Sequence, residues 1–293
     1  MKRRAVITGA AGLIGQYVVK NAARWAPGWE VCGLSRADLD LTDQKAVEQV
    51  WQALKPSAVI HCAALSRTKD CERDPQLARR INVDATAHLA CLSQEIPFVF
   101  LSSGEVFDGK AGWYQETDDP NPINVYGQTK LEAEQRVLQN HRHTVVRIVL
   151  TAGTSVNGDR SFVEEMSRTA TSGKSMTLYH DEFRCPLPAG VIARAIWDLL
   201  NREATGLYHL GGRDRLSRWE IGQVLVGRYP ELRGHLIDGS SANHMGAPRP
   251  PDLSLNCDKL QALLSFPIPG FRGWVQDRMQ QEGDLWDYET TLM

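Results

Sequence analysis

A glycine-rich loop, Gly9-Ala10-Ala11-Gly12-Leu13-Ile14-Gly15, follows the apolar run Ala5-Val6-Ile7-Thr8 and opens a helix-period segment from Leu13 to Trp25. Glycines let a backbone turn tightly and approach a ligand closely, and the N-terminus of the helix that follows attracts a diphosphate. Glycines alone would mark a plain turn. Between a strand and a helix they mark a dinucleotide-binding unit.

The rest of the first half repeats that alternation. Strands are expected at Val31 to Leu34, Ala58 to Cys62, Pro97 to Leu101 and Thr144 to Leu150. Helices are expected at Gln44 to Leu54, with Asp43 as N-cap, at Gln76 to Gln94 and at Tyr126 to Leu138. Short apolar strands separated by helices imply a parallel sheet covered on both faces, an α/β doubly wound (Rossmann) sheet. After Leu150 the alternation weakens. Residues 1–150 read as the dinucleotide-binding domain, and 188–212, with the run Leu207 to Leu210, as a return to it. Residues 151–187 and 213–293 read as a smaller C-terminal substrate-binding lobe. The tail from Gln280 is polar and acidic and reads as disordered unless Trp286 and Tyr288 dock.

Composition excludes some functions. A net charge of -2 gives no field for nucleic acid or an anionic membrane. No apolar stretch reaches the ~18 residues needed to span a bilayer. The six cysteines form no CxxC pair and no metal-ligand spacing, which favours reduced thiols, no metal and a cytoplasmic setting.

The second strand runs into Ser35-Arg36. A carboxylate there would bind the 2′-hydroxyl of NAD, whereas a guanidinium suits a 2′-phosphate. NADP(H) is therefore the expected cofactor and NAD(H) the alternative. Asp40-Leu41 either reaches the adenine edge or belongs to a turn.

Tyr126 and Lys130 stand four residues apart, on one face of their helix. A phenol with a pKa of ~10 is a poor acid or base at neutral pH. A nearby ammonium is expected to stabilise the phenolate and bring that pKa into range. The pair follows the fourth strand, which ends near Ser102-Ser103, and sites gather at strand carboxyl ends in such sheets.

These residues resemble the extended short-chain dehydrogenases/reductases, and within them the dTDP-4-dehydrorhamnose reductases. The likeness includes the glycine loop, Asp40 to Asp43, Val59 to Ala64, Ile81-Asn82-Val83, Leu101 to Ser103, Val106 to Gly109 and Tyr126 to Lys130. It continues through Asp181 to Pro186, Gly206 to Leu210 and Arg249-Pro250. The resemblance implies that Ser103 binds the reacting oxygen, that Tyr126 donates the proton, and that Lys130 holds the nicotinamide ribose. It also implies cofactor contacts at Gly12, Leu13, Ile14, Asp40, Leu41, Ala63 and Ala64, with Gly9 shaping the loop. Asn82 would support the catalytic helix.

Two positions depart from the family pattern. Gly104-Glu105 stand where the sugar reductases carry Asp-Tyr, and Leu150 where they carry Trp, so the pocket is expected to be roomier and less aromatic. Gly104 and Glu105 would face the substrate, and Arg184 and Arg249 are expected to point at it, since guanidinium suits a diphosphate. The expected activity is reduction of a keto group on a nucleotide-activated sugar. The alternatives are a sugar epimerase or dehydratase, and a non-catalytic NADP-binding regulatory subunit like those of methionine adenosyltransferases. The sequence leaves the oligomeric state open, a homodimer included.

Overall fold

A computed structural model describes residues 3–279 and 283–288. Its centre is a six-stranded parallel sheet. Five strands come from the first half: β1 (Arg3–Thr8), β2 (Trp29–Leu34), β3 (Ala58–His61), β4 (Phe98–Ser103) and β5 (Thr144–Ile148). The sixth, Gly206–Leu210, pairs with β5 and closes one edge. The spatial order is Gly206–Leu210, β5, β4, β3, β1, β2. The chain therefore reverses its direction of travel between β1 and β3, where such sheets open a crevice.

Every residue of β3 and β4 is buried, which explains the apolar runs Ala58-Val59-Ile60 and Phe98 to Leu101 that precede their polar ends. On one face pack the helices Gln44–Leu54, Ala85–Leu92 and Val125–Val137. On the other lie α1 (Leu13–Lys20) and the helix Ala189–Asn201, joined by the buried Trp197 indole, which donates to the Val18 carbonyl at 2.9 Å. Asp43 caps its helix as expected, accepting from the Ala46 N–H at 3.1 Å, a contact worth ~1 kcal/mol.

Two expected helices are interrupted. The first ends at Lys20, and a separate turn, Ala22–Trp25, follows Asn21, whose side chain donates to the Tyr17 carbonyl and to Asp287. The third is split into Pro75–Arg79, a wide π turn at Arg80–Asp84 and Ala85–Leu92. A further short helix, Thr68–Arg73, precedes it.

Beyond β5 the chain builds small pieces over the carboxyl end of the sheet. The helix Phe162–Thr171 starts with a capping box of Ser161 and Glu164. Met176–Tyr179 pairs with Leu236–Gly239, and Phe183–Arg184 with Leu216–Ser217. Gly283 to Tyr288 do dock: Trp286 is buried and stacked on Phe271, and Tyr288 packs against Trp25, Phe266 and Trp274. The remainder of the expected tail, residues 280–282 and 289–293, lies outside the described residues. No described helix is long and apolar enough to cross a membrane.

Candidate active site

A cleft of about 770 Å³ opens at the carboxyl ends of the strands. One end is walled by Gly9, Gly12, Leu13, Ile14, Ser35, Arg36, Asp40, Leu41, Ala63 and Ala64. The other is walled by Ser103, Gly104, Glu105, Tyr126, Lys130 and Arg184. The candidate cofactor, catalytic and substrate residues all line this wall except Arg249; Asn82, expected to support the helix, lies behind it.

The glycine loop is shaped by contact as well as by conformation. Gly9 has φ +70°, and a β-carbon there would lie 2.6 Å from the Ala63 nitrogen. A larger residue would push β1 and β3 apart at the reversal point. Gly12 is the N-cap of α1 and supplies no side chain to its first turn. The free N–H groups of that turn face the cleft wall at Leu13 and Ile14, a ready anion cradle.

At the end of β2 the Asp38 carboxylate accepts from the Ser35 N–H and hydroxyl at 2.8 and 2.6 Å, which lowers its pKa. The Ser35 hydroxyl proton is thereby committed within the loop. Asp40 accepts from the Thr42 N–H and hydroxyl, contacts that hold it below the usual carboxylate range, with Arg36 adding to the effect. Asp40 therefore serves a turn and lines the cleft at once. Among the described residues no hydrogen bond occupies the Arg36 guanidinium, which is exposed.

Tyr126 and Lys130 lie on the helix Val125–Val137 and face the end of β4. Lys130 is almost fully buried; its ammonium donates to the Leu101 carbonyl at 2.6 Å and stands 3.9 Å from the Phe100 ring centre. Burial pushes it down to about 7, with Glu134 and Cys62 pulling the other way. The expected lowering of Tyr126 by this ammonium is not what the site shows. Burial raises the phenol's pKa, a hydrogen bond from Ser103 opposes the rise, and Glu105 and Cys71 add to it. Desolvation is the largest of these effects, so the phenol is held protonated.

A buried layer fixes this pair. Thr86 spends its hydroxyl proton on the Asn82 carbonyl, so it accepts from His61 Nε2, and His61 Nδ1 accepts from Thr8. Burial, reinforced by Lys130, lowers His61 to about 3, so it stays neutral. Its ring stacks on Phe100 at 5.7 Å, the face opposite in role to that carrying the Lys130 charge. Asn82, in the π turn, accepts from the Leu65 N–H and donates to the Leu65 carbonyl and to Thr129. It thus ties the loop after β3 to the catalytic helix, as expected. One turn beyond Lys130, Glu134 accepts three hydrogen bonds from the buried Arg147 of β5 at 2.7 to 3.2 Å.

On the remaining side Gly104 lines the cleft, and a β-carbon there would lie 3.2 Å from the Val149 side chain. Arg184 does reach the cleft; its Nη1 donates to the carbonyls of Phe183 and Pro250, and its Nη2 pairs with Glu182 at 3.1 Å. Arg249 grips the same buried carboxylate at 2.6 and 2.8 Å. The cleft also takes in Ser66, Thr68, Arg80, Asn157, Arg160 and Phe162, which the sequence reading did not single out. None of these residues stands in a recognisable motif, so the sequence carries no local signal for them. Asn124 was findable: it stands just before the helix and its side chain caps the Gly127 N–H at 2.8 Å.

The chain is similar to known proteins. The chain is 34% identical to the beta subunit of methionine adenosyltransferase 2 of Xenopus laevis over 89% of this chain and 82% of that protein. It is 30% identical to a probable low-salt glycan biosynthesis reductase of Haloferax volcanii, over 75% of this chain and 78% of the other. Its structure resembles that of dTDP-4-dehydrorhamnose reductase from Bacillus anthracis in complex with NADP, with a TM-score of 0.86, 26% identity, and coverage of 94% and 98%. Residues 3–283 match the family model described as the RmlD substrate binding domain. The chain belongs to that family, within the extended short-chain dehydrogenases/reductases.

Proposed function

We propose that this protein is an NADP(H)-dependent reductase of a keto group on a nucleotide-activated sugar. One observation carries the reading: Ser103, Tyr126 and Lys130 wall one end of a cleft whose other end is the glycine cradle. The residues present fit a dinucleotide. Its diphosphate would lie on the first turn of α1, and a 2′-phosphate would meet Arg36. Lys130 would hold the nicotinamide ribose, and the bound cofactor would supply the hydride.

Tyr126, kept protonated, donates its proton to the carbonyl oxygen as charge develops there. Ser103 hydrogen-bonds the same oxygen. The smaller pieces built after β5 serve as the substrate lobe in this reading, with Arg184 at the cleft wall. Six free thiols support a reducing cytoplasm as the setting.

The test is NADPH oxidation, followed by absorbance, with dTDP- and UDP-linked 4-keto sugars. Turnover with one of them, lost in Tyr126→Phe, is the expected result. Absence of turnover with every sugar tried sinks the reading. The likeness to a methionine adenosyltransferase subunit favours a second one, in which the bound dinucleotide is structural and the chain regulates a catalytic partner. Stable association with a methionine adenosyltransferase catalytic subunit, unchanged in Tyr126→Phe, would select it.

A further inference from the structure

Residues 153–161, between β5 and the helix Phe162–Thr171, fold into a compact loop of their own. The Ser161 hydroxyl donates to the Gly153 carbonyl at 2.6 Å and ties the two ends together. Inside, the Glu164 carboxylate accepts from the N–H groups of Ser155, Arg160 and Ser161 and from the Ser155 hydroxyl. Joined ends and an internal carboxylate make this an Ω-loop that can move as one body.

The base of the loop stands on α1. The Thr154 N–H donates to the Tyr17 hydroxyl at 3.1 Å, and the Gln16 side chain donates to the Thr154 carbonyl. Its tip reaches the other side of the crevice. There the Arg67 guanidinium, beyond β3, donates to the Asp159 carbonyl and carboxylate, each at 3.0 Å. Because α1 and the segment after β3 flank the point where the sheet reverses, the loop spans the crevice from wall to wall. Asn157 and Arg160 line the cleft from the loop, and Ser66 and Thr68 line it on either side of Arg67. Arg67 and Asp159 are not part of that wall, so their contact sits at its rim.

We propose that residues 153–161 are a flap closed over bound NADP(H), latched by Arg67 and Asp159, and that unlatching sets the rate of cofactor exchange. The inference rests on the cleft being the dinucleotide site. A dinucleotide held by α1, Ala63 and Ala64 occupies the crevice that the flap spans, so it leaves when the tip lifts from Arg67. Val156 at the tip is 76% exposed and buries little apolar surface, which leaves the latch to hold the tip down. Asp159 also meets Arg160 at 3.2 Å, a contact inside the flap that opening leaves intact. An exposed ion pair usually adds little to stability. One that spans a cleft acts on a different quantity, the population of the open form.

The test is NADPH dissociation in stopped flow, chased with excess NADP⁺ and followed by nicotinamide fluorescence. Asp159→Ala and Arg67→Ala are each expected to speed dissociation about fivefold, the scale of a half-exposed ion pair. The double variant is expected to be no faster than the faster single one, because both changes remove one contact. Arg73→Ala breaks the neighbouring ion pair to Asp70 at 3.0 Å and is expected to leave the rate unchanged. Unchanged dissociation in Asp159→Ala overturns the proposal even if Arg67→Ala is faster, since that pattern places Arg67 on the cofactor itself. Additive acceleration in the double variant overturns it too, as does equal acceleration in Arg73→Ala. Should an alanine variant fail to fold, Arg67→Gln or Asp159→Asn is read by the same criteria. If NADPH does not bind the unaltered protein, the cofactor reading falls and the flap with it. If NADPH binds and leaves every variant at one rate, the flap alone falls.

Discussion

The Lys130 ammonium donates to the Leu101 carbonyl across 2.6 Å, joining the helix Val125–Val137 to the carboxyl half of β4. A side chain with three donors is held here by one backbone acceptor and a ring face, in a place where its charge is poorly solvated. Two further donor positions are left for groups in the cleft. In the proposed reading, those positions let one lysine hold a ribose while staying close to a phenol four residues away.

The same burial makes Lys130 a source of pH-dependent stability. Its folded pKa, about 7, is below the ~10.4 of an unfolded lysine, so the unfolded chain binds more protons between those values. Stability from this residue is fully present above about pH 10 and is lost as pH falls toward 7. Lys130→Met removes the dependence. Chemical denaturation at pH 7 and 9.5 is expected to show the unaltered protein gaining on the variant by a few kcal/mol at the higher pH. Parallel stabilities at both pH values would show that the ammonium is better solvated than its position implies.

Cofactor choice is expected to depend on Arg36. The Ser35 hydroxyl is committed to Asp38, so the guanidinium is the group left to meet a 2′-phosphate. NADPH is expected to bind more tightly than NADH, and Arg36→Ala to remove most of the difference, ~1.5–3 kcal/mol for a charge-assisted contact. Titration by nicotinamide fluorescence reads both affinities. Equal affinities in the unaltered protein would contradict the assignment.

Much of this was legible in the sequence because it is local. The strands, the Asp43 cap and the Tyr126/Lys130 spacing depend on neighbours within a few residues. The sixth sheet strand was visible in Leu207 to Leu210 for the same reason. What the sequence hid was long-range. The break at Asn21 is fixed in part by Asp287, 266 residues away. The rise of the Tyr126 pKa comes from desolvation, which no i to i+4 rule contains. The sequence reading points both Arg184 and Arg249 at the substrate, and the buried Glu182 that pairs with them has no marker.

The docked segment Gly283 to Tyr288 is expected to support the cofactor end of the cleft. Asp284 accepts from the Tyr17 hydroxyl, and Asp287 pairs with Lys20 at 2.7 Å, so the segment grips α1 directly. Trp286 is 1% exposed, and its truncation to alanine should lose ~3–5 kcal/mol of stability. NADPH affinity should fall with it, because α1 carries the diphosphate cradle. Thermal unfolding and fluorescence titration measure the two effects. A stable Trp286→Ala protein with unaltered NADPH binding would confine the segment to packing.

Glu182 and its arginines give the last expectation. The carboxylate is 1% exposed and is gripped by Arg184 at 3.1 Å and Arg249 at 2.6 Å, with the Arg218 charge nearby. These contacts hold it below the usual carboxylate range even though burial acts the other way. Arg249→Ala leaves the Arg184 ion pair on Glu182 and is expected to destabilise by ~1–3 kcal/mol. Arg184→Ala also strips the donors from the Phe183 and Pro250 carbonyls and should lose ~3–5 kcal/mol, as breaking a buried ion pair does. Because Arg184 lines the cleft and Arg249 does not, only Arg184→Ala is expected to weaken a nucleotide-sugar more than its stability loss explains. Calorimetry with UDP-glucose and dTDP-glucose in the presence of NADP, on variants first shown to be folded, separates the two. An affinity loss at Arg249 equal to that at Arg184 would place both guanidiniums on the ligand and remove Glu182 as their principal partner.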